Sequence, residues 1–443
     1  MTRIKPKAVS KFNLLGTYDS ASQTATYVPG ATFNNITNFS CIGKITSAPK
    51  DNDLKSFQAL DLITDRLAKA LCVSKPLQTT TTFYSPWVYA PNGVTSSLNF
   101  VQGIGAGSTK NTYTIVGTYG QLNNGAVGVV YQGAINGTNT TQGSGPGTWT
   151  TMVVPTSFGS LGTSIYGVHK KGDGKFNLVG TYVSAGQTTN VAGTTINNTL
   201  GFYYTGKITS SPKDNDFKSF QARDPITGSL ANETYLHSVS GGLAAGNYDF
   251  FGEGKGTGTA FVVDIKTGKQ TNLRYNDSAL SHSVYGIWSN SNRHYTVAGG
   301  ESNVLGSLKP GINNGPSIGD ATLADYDSIT GQVTNTHTYR YPGQGGSSYE
   351  THFEGIWSDG KGLYKLPFWA FGPSDLSVSG LAIVKREKNG DFSSEASWIT
   401  FENPAGYNRF ASSVWDEASL GSLPNSSDPS QPPSSYAALT HIF

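Results

Sequence analysis

The residues best suited to chemistry recur at equivalent places in a repeated short segment, written NFVQGIG, SIYGVHK, LHSVSGG, SVYGIWS, HFEGIWS and RFASSVWDE in successive copies. The copies agree on small and β-branched residues but differ at two positions. The first position holds Gln102, Tyr166, His237, Tyr285, Glu354 and Ser412; the second, three residues later, holds Gly105, His169, Ser240, Trp288, Trp357 and Trp415. A repetitive frame that carries different side chains can present an asymmetric site.

These side chains fit two kinds of role. Indole faces stack on the apolar faces of sugars while a polar rim supplies hydrogen bonds, so Trp288, Trp357 and Trp415 predict a carbohydrate site. The alternative is that the indoles pack between repeats. His237 and Glu354 are candidates for an acid–base pair, or for ordinary residues that line a channel.

A hydrolase would use Glu354 with a second carboxylate such as Asp416 or Glu417, at a separation of roughly 5–9.5 Å. Yet the chain has no G-x-S-x-G, H-E-x-x-H or P-loop motif and no pair of C-x-x-C motifs. The missing motifs favour a protein that is not an enzyme and that has no cofactor.

Two copies of an Asp-Asn-Asp triplet are weak calcium candidates, through Asp51 and Asp53 in one and Asp214 and Asp216 in the other. Alternating oxygen side chains suit a hard cation. No glycine turn and no bidentate glutamate follows them, and a lysine precedes each triplet. A solvated turn is therefore favoured over a metal site.

Longer repeated segments predict the strands that must position these residues. KFNLLGTY at Lys11–Tyr18 returns as KFNLVGTY at Lys175–Tyr182, and weaker copies bring the number of occurrences to six. Each copy contains four segments rich in β-branched and aromatic residues between turn residues, which indicates strands. Four strand types repeated six times predict an all-β protein, a β-propeller with six four-stranded blades.

The ends of the chain predict how the ring closes. The first copy lacks the inner segment, and the missing member appears at Arg409–Glu417, so a C-terminal strand is expected to complete the first blade and hide its edges. Residues 1–418 would then be the propeller. Residues 419–443 would be a Ser/Pro-rich tail whose last residues dock as an apolar anchor. A β-solenoid and a tandem of small sandwiches are the alternatives.

Composition excludes several partners. Only 14% of residues are charged and the net charge is +2, which does not suit nucleic acid. Apolar runs are too short to span a bilayer, so no membrane insertion is expected. Cys41 and Cys72 are too few for a disulfide framework or a zinc site; they form one bridge or remain two thiols.

The cycle YGV, KFNLVGTY and GFYYTGKI resembles the HAF-type extracellular repeats, in which similar segments succeed one another. The resemblance implies a repeat-built β-protein on the outside of microbial cells, without an assigned chemistry. Residues 1–10 lack the apolar core of a secretory signal, so the sequence itself does not support export. The expected location is extracellular, on a cell surface or on a virion surface.

The leading functional hypothesis is a non-enzymatic surface propeller that acts as a structural or adhesive module. Its expected partners are glycans or another surface protein. A lectin with sugar bound at the tryptophans is the first alternative, and a glycan-active hydrolase using Glu354 is the second.

Overall fold

The computed structural model describes residues 12–16, 39–43, 79–84, 99–120, 125–135, 147–191, 193–250, 258–277, 279–291, 293–302, 319–342, 350–372, 377–401, 410–423 and 434–442. β-Strands are the predominant secondary structure of these residues. The described helical structure consists of two single turns of 3-10 helix, Thr156–Phe158 and Asp214–Asp216. No helix in the described ranges is long and apolar enough to cross a membrane.

The chain divides into two compact units, residues 1–78 with 442–443, and residues 79–441. In the first unit, β1 (Phe12–Gly16) pairs antiparallel with β2 (Phe39–Gly43). These strands carry the first sequence copy. Cys41 lies on β2, whereas Cys72, Asp51 and Asp53 lie outside the described residues, so the predictions for them remain untested.

The second unit is a β-propeller made of five sheets. The first sheet contains β4 (Asn99–Ala106), β5 (Tyr113–Tyr119), β6 (Val127–Gly133) and β7 (Thr148–Met152). The second contains β8 (Ser160–Lys170), β9 (Phe176–Val191), β10 (Thr194–Gly206), β11 (Phe217–Phe220), β12 (Glu233–Ser240), β13 (Leu243–Asp249), β14 (Thr259–Asp264) and β15 (Gln270–Asn272).

The remaining sheets follow the same order along the chain. The third contains β16 (Ser281–Ser289), β17 (His294–Ser302), β18 (Gly319–Asp327) and β19 (Val333–Tyr339). The fourth contains β20 (Glu350–Phe353), β21 (Trp357–Ser358), β22 (Leu363–Phe371), β23 (Ser377–Lys385) and β24 (Ser397–Thr400). The fifth contains β25 (Phe410–Trp415), β26 (Ala418–Leu423), β27 (Ser434–Ile442) and β3 (Thr79–Tyr84).

The predicted propeller is confirmed, but the predicted count of six blades was wrong. Two consecutive sequence copies share the eight-stranded second sheet, because β10 and β12 are joined by a parallel bridge between Thr199 and Glu233. The first sequence copy lies in the separate N-terminal unit.

The predicted closure also needs correction. β25, within Arg409–Glu417, does not complete a first blade but begins the fifth sheet, and the outermost strand of that sheet is β3, from the N-terminal side. The fifth sheet packs on the first through a shared core that includes Val101, Ile104, Leu420 and Ala437, so the ring is closed.

The predicted boundary at residues 418 and 419 is not a boundary in the structure. The expected tail contributes β26 and β27, which pair along their length from Ala418 with Leu439 to Leu423 with Ser434. The Ser/Pro-rich stretch that suggested a linker lies between these two strands. Residues 424–433 of that stretch lie outside the described residues.

Burial follows from the position of each strand. β5 and β6 lie between two other strands and between neighbouring sheets, so their central residues are buried on both faces. The outer strand β19 alternates half-buried and exposed residues, as expected when one face of a strand meets solvent. The apolar core therefore lies between the sheets and surrounds a central channel.

Candidate functional site

A β-bulge re-aims one residue of each inner strand towards the channel. In β4, Val101 pairs with Gly117 and Gly103 pairs with Val116, so the residue between them has no cross-strand partner. The same one-residue shift occurs in β8, β12, β16 and β25. The unpaired residues are Gln102, Tyr166, His237, Tyr285 and Ser412. Together with Glu354, described below, they are called the bulge ring.

Glu354 reaches its place in the bulge ring by a related route. Phe353 pairs with Phe368 and Trp357 with Lys365, which leaves three residues of the inner strand opposite two of β22. Glu354 N–H donates to the carbonyl of Pro367 at 2.8 Å. Bulges redirect side chains in this way because the extra residue breaks the alternation of the strand.

All six residues of the bulge ring line one cavity in the channel. His169, Ser240, Trp288 and Trp415 line it as well, whereas Gly105 and Trp357 do not. The cavity volume is about 40 Å³, which holds roughly three water molecules. Ligand sites for sugar-sized molecules are several times larger than this cavity.

Aromatic rings fill the channel at the level of the bulge ring. The ring centroids of His237 and Tyr285 are 4.1 Å apart and the rings are stacked, while Tyr166 lies 5.6 Å from His237. Burial, and to a smaller extent the charge of His352, lowers the pKa of His237 to about 3. Burial and then the charge of Glu354 raise the pKa of Tyr285. Both side chains are therefore neutral near pH 7.

Glu354 does not pair with His237 as an acid–base couple; its hydrogen-bond partner is His352. Nδ1 of His352 lies 2.9 Å from Oε1 of Glu354, and Nε2 of the same ring contacts Oγ of Ser283 on the neighbouring sheet. Sequence reasoning missed His352, although residues two apart on a strand share a face.

This chain of contacts has the order of a serine, histidine and acid triad. Ser283, however, is only 3% exposed and also donates to the carbonyl of Gly300 at 3.3 Å. The hydrogen-bonded series of Ser283, His352 and Glu354 therefore joins two sheets and fixes the orientation of the Glu354 carboxylate.

Three indoles meet near the end of the channel where the inner strands finish. The centroids of Trp288 and Trp357 are 6.2 Å apart, and those of Trp288 and Trp415 are 5.5 Å apart. Each side chain is half-buried. Trp288 packs on the core between the third and fourth sheets, and Trp415 on the core between the first and fifth. We call these three residues the tryptophan cluster.

Charged groups border the tryptophan cluster. The Lys365 ammonium lies 5.0 Å from the centre of the Trp357 ring and donates to the carbonyl of Asp416 at 2.6 Å. Burial lowers the pKa of Lys365, and the carboxylates of Asp416, Glu417 and Asp359 oppose that shift. Asp416 and Glu417 are exposed in the turn after Trp415. The cluster therefore has an apolar face and a charged rim.

The weaker sequence candidates occupy structural turns. Asp214 accepts a hydrogen bond from Ser157 at 2.9 Å, and Asp216 lies beside Tyr204, whose pKa is raised to about 12 chiefly by burial. Among the described residues, no group of three or more His, Cys, Asp or Glu could hold a metal ion.

Comparison with known proteins assigns no family to this chain. No protein-family model and no curated protein matches this chain, so the HAF-type resemblance remains a prediction. Among solved structures, Trypanosoma rangeli sialidase in complex with the inhibitor DANA matches with a TM-score of 0.44 and 8% identity, over 82% of this chain and 59% of the sialidase. This chain therefore spans less than two thirds of that enzyme.

Two further structures are similar at a comparable level. An endo-arabinanase from Bacillus licheniformis gives a TM-score of 0.29 and 12% identity over 69% of this chain and 99% of the enzyme. A tail fiber of Staphylococcus aureus phage P68 gives 0.29 and 11% over 69% of this chain and 52% of the fiber. At these levels the matches do not assign a substrate.

The expectation that this chain is not an enzyme is contradicted by the matched structures, because a sialidase and glycoside hydrolases stand among them. Short sequence motifs were a poor basis for that expectation, since catalytic groups are recognised by their geometry and can be far apart in the sequence. The absence of a motif excludes no activity here.

Proposed function

We propose that this protein is a carbohydrate-binding β-propeller and that its sugar site is the outer face of the tryptophan cluster. The observation that carries the proposal is the convergence of Trp288, Trp357 and Trp415 from three separate inner strands while each indole stays partly exposed. The corresponding positions of the other repeats hold Gly105, His169 and Ser240, so the aromatic surface is confined to one side of the channel.

The surroundings of the cluster suit a sugar. Indole faces would stack on the C–H face of a pyranose or furanose, and the carboxylates of Asp359, Asp416 and Glu417 would accept hydrogen bonds from its hydroxyl groups. Lys365 is held behind Trp357, where it fixes the ring and contributes a positive charge. Because acidic groups dominate the exposed rim, we expect neutral sugars to bind better than sialylated or sulfated ones.

Presentation at a cell or virion surface, with glycans as the partner, is part of this proposal. The low fraction of charged residues supports it, because recognition then depends on shape and aromatic stacking.

The test is a glycan array with the full chain, followed by calorimetry on each glycan that binds. Trp357→Ala should weaken binding about 30-fold or more, as expected for an aromatic residue at the centre of a contact. Trp357 is the best choice because Trp288 and Trp415 also pack on the core.

Trp149→Ala is the matched control, since Trp149 is a half-buried indole on the outer strand β7, where it packs on Tyr131. It should leave glycan affinity unchanged. An array with no bound glycan, or full affinity in Trp357→Ala, would show that the cluster only packs the channel end.

A further inference from the structure

Three ionisable residues form a row across the third sheet, near the end of the channel opposite the tryptophan cluster. In the strand register, His282 of β16 pairs with Glu301 of β17, and Glu301 pairs with Asp320 of β18. Directly opposite residues share one face of the sheet, with Cβ atoms about 4.5–5.5 Å apart. Trp288 lies six residues further along β16, roughly 20 Å away at the rise of a strand.

The two carboxyl groups have different surroundings. Asp320 is ion-paired with Arg340, whose Nε and Nη2 both lie 2.6 Å from Oδ1. Among the described residues, no cation pairs with Glu301. Its Oε1 accepts from the Asn276 amide at 3.4 Å, and its Oε2 is buried without a hydrogen-bond partner there. Burial raises the pKa of Glu301, and the charge of Asp320 adds to that shift.

His282 is the third member of the row. It is 6% exposed, and neither ring nitrogen has a hydrogen-bond partner in the described structure. Burial and the charge of Arg274 lower its pKa to about 4, against the opposing charge of Asp277. A buried polar group without a partner is costly, so an unpartnered imidazole beside Glu301 points to a ligand that supplies the missing contact.

Other groups border the row. Tyr275 packs its ring edge to face against His282 at 5.6 Å, and its hydroxyl donates to the Ser283 carbonyl. Glu350 of the fourth sheet lies so close to Gly319 that a Cβ there would meet its carboxylate oxygen at 2.7 Å. The row therefore lies among polar groups of two sheets.

We propose that Glu301 and Asp320 are the catalytic carboxyl groups of a glycoside-cleaving site, with His282 bound to a hydroxyl group of the substrate. The two residues are directly opposite, with Cβ atoms about 4.5–5.5 Å apart, a spacing that lets their carboxyl groups reach the roughly 5–5.5 Å separation of retaining enzymes. This inference goes beyond sugar binding and does not depend on the tryptophan cluster.

The reaction would proceed in two balanced steps. Asp320 attacks the anomeric carbon as the bond to the leaving oxygen breaks, and Glu301 gives its proton to that oxygen. Glu301 then takes a proton from water, the water oxygen attacks the anomeric carbon, and the ester to Asp320 breaks. The products are the free sugar and the alcohol, and both carboxyl groups return to their starting states.

The experiment measures release of nitrophenol from a panel of 4-nitrophenyl and 2,4-dinitrophenyl glycosides of common hexoses and pentoses by the full chain. Asp320→Ala should lower kcat at least 1,000-fold, and added azide should restore turnover while forming a glycosyl azide, which a merely structural aspartate would not do. Glu301→Gln should slow the 4-nitrophenyl substrate at least 10-fold more than the 2,4-dinitrophenyl substrate, because the second leaving group needs no acid.

Asp327→Asn is the matched control. Asp327 lies at the other end of β18, where it accepts hydrogen bonds from the N–H groups of Ile329 and Thr330, a role that asparagine can keep. Its kcat should match that of the unaltered chain. The proposal is overturned if no glycoside is cleaved, or if Asp320→Ala and Glu301→Gln retain turnover.

Discussion

At the scale of single residues, the aromatic surroundings of His237 determine its charge. Its ring lies between those of Tyr235 and Tyr285, at centroid distances of 6.0 and 4.1 Å. Ionisation would place a charge among aromatic rings, which leave little room for water around the imidazole. The folded protein therefore binds a proton at His237 only below about pH 3, whereas the unfolded chain binds it near pH 6.5.

This difference predicts an acid-sensitive fold. Between about pH 6.5 and 3 the unfolded state binds more protons than the folded state, so the free energy of unfolding falls as the pH is lowered through that window. His237→Phe cannot titrate and should lose less stability than the unaltered chain between pH 7 and 4, by about 2 kcal/mol or more. Urea unfolding at each pH measures the effect.

His294→Phe is the comparison for that experiment, because His294 lies on the exposed end of β17 and its side chain is 54% exposed. A pH profile of His237→Phe that coincides with those of His294→Phe and the unaltered chain would contradict the prediction.

At the scale of elements, the bulge in each inner strand is coupled to a small residue that follows it. A Cβ on Gly103 would collide with the carbonyl oxygen of Tyr166 on the next inner strand, and one on Gly286 would lie 2.7 Å from the backbone of Gly355. Some repeats have serine in place of this glycine, and its hydroxyl oxygen accepts a hydrogen bond from the next inner strand. For example, Ile287 N–H donates to Oγ of Ser238 at 3.3 Å. Inner strands are thus in near-direct backbone contact.

Because of this close packing, we expect that adding one methyl group at such a glycine destabilises the fold. Gly286→Ala should lower the free energy of unfolding by about 1–3 kcal/mol, since the added carbon meets backbone atoms that cannot move aside alone. Gly172→Ala is the matched control, because a Cβ there meets no atom within 4 Å. Equal midpoints for the two variants in urea unfolding would disprove the close contact.

The element scale also explains what the sequence could predict. Aligning the repeats placed the six residues of the bulge ring at one position because the short segments around them have the same length in every copy. Of the fifth sheet, β25 was found but β26 was missed, because ASLGSL shares little beyond Gly421 with the second strands of the other repeats. The row of His282, Glu301 and Asp320 was missed because its members come from three strands, whose register no local pattern determines.

At the scale of the whole molecule, the ring is closed by β3, a strand from the N-terminal side of the propeller, so the propeller needs residues 79–84 to be complete. β3 forms the outer edge of the fifth sheet, and Phe83 packs edge to face on Phe401 and Tyr436 at 5.5 and 5.6 Å. The copies of the repeat predicted a closed ring but not this closure, because TTTTFY lies outside every copy that the sequence displays.

Truncation tests this closure. A chain that begins at residue 79 should keep the thermal unfolding temperature of the propeller, because residues 1–78 form a separate compact unit. A chain that begins at residue 85 lacks β3 and leaves an edge of β27 unpaired, so it should unfold about 5 °C lower or more and self-associate. Calorimetry and size-exclusion chromatography measure both effects. If the two chains unfold at the same temperature and show the same association state, β3 is not the strand that closes the ring.

The pairing of β3 with β27 also has a consequence during synthesis. Thr79–Tyr84 leaves the ribosome long before Ser434–Ile442, and at 5–20 residues per second the interval is roughly 20–70 s. Throughout that time four sheets can form in sequence while the early strand waits for its partner. A nascent chain stalled before residue 434 therefore carries an unsatisfied strand, which a chaperone or a second nascent chain can occupy.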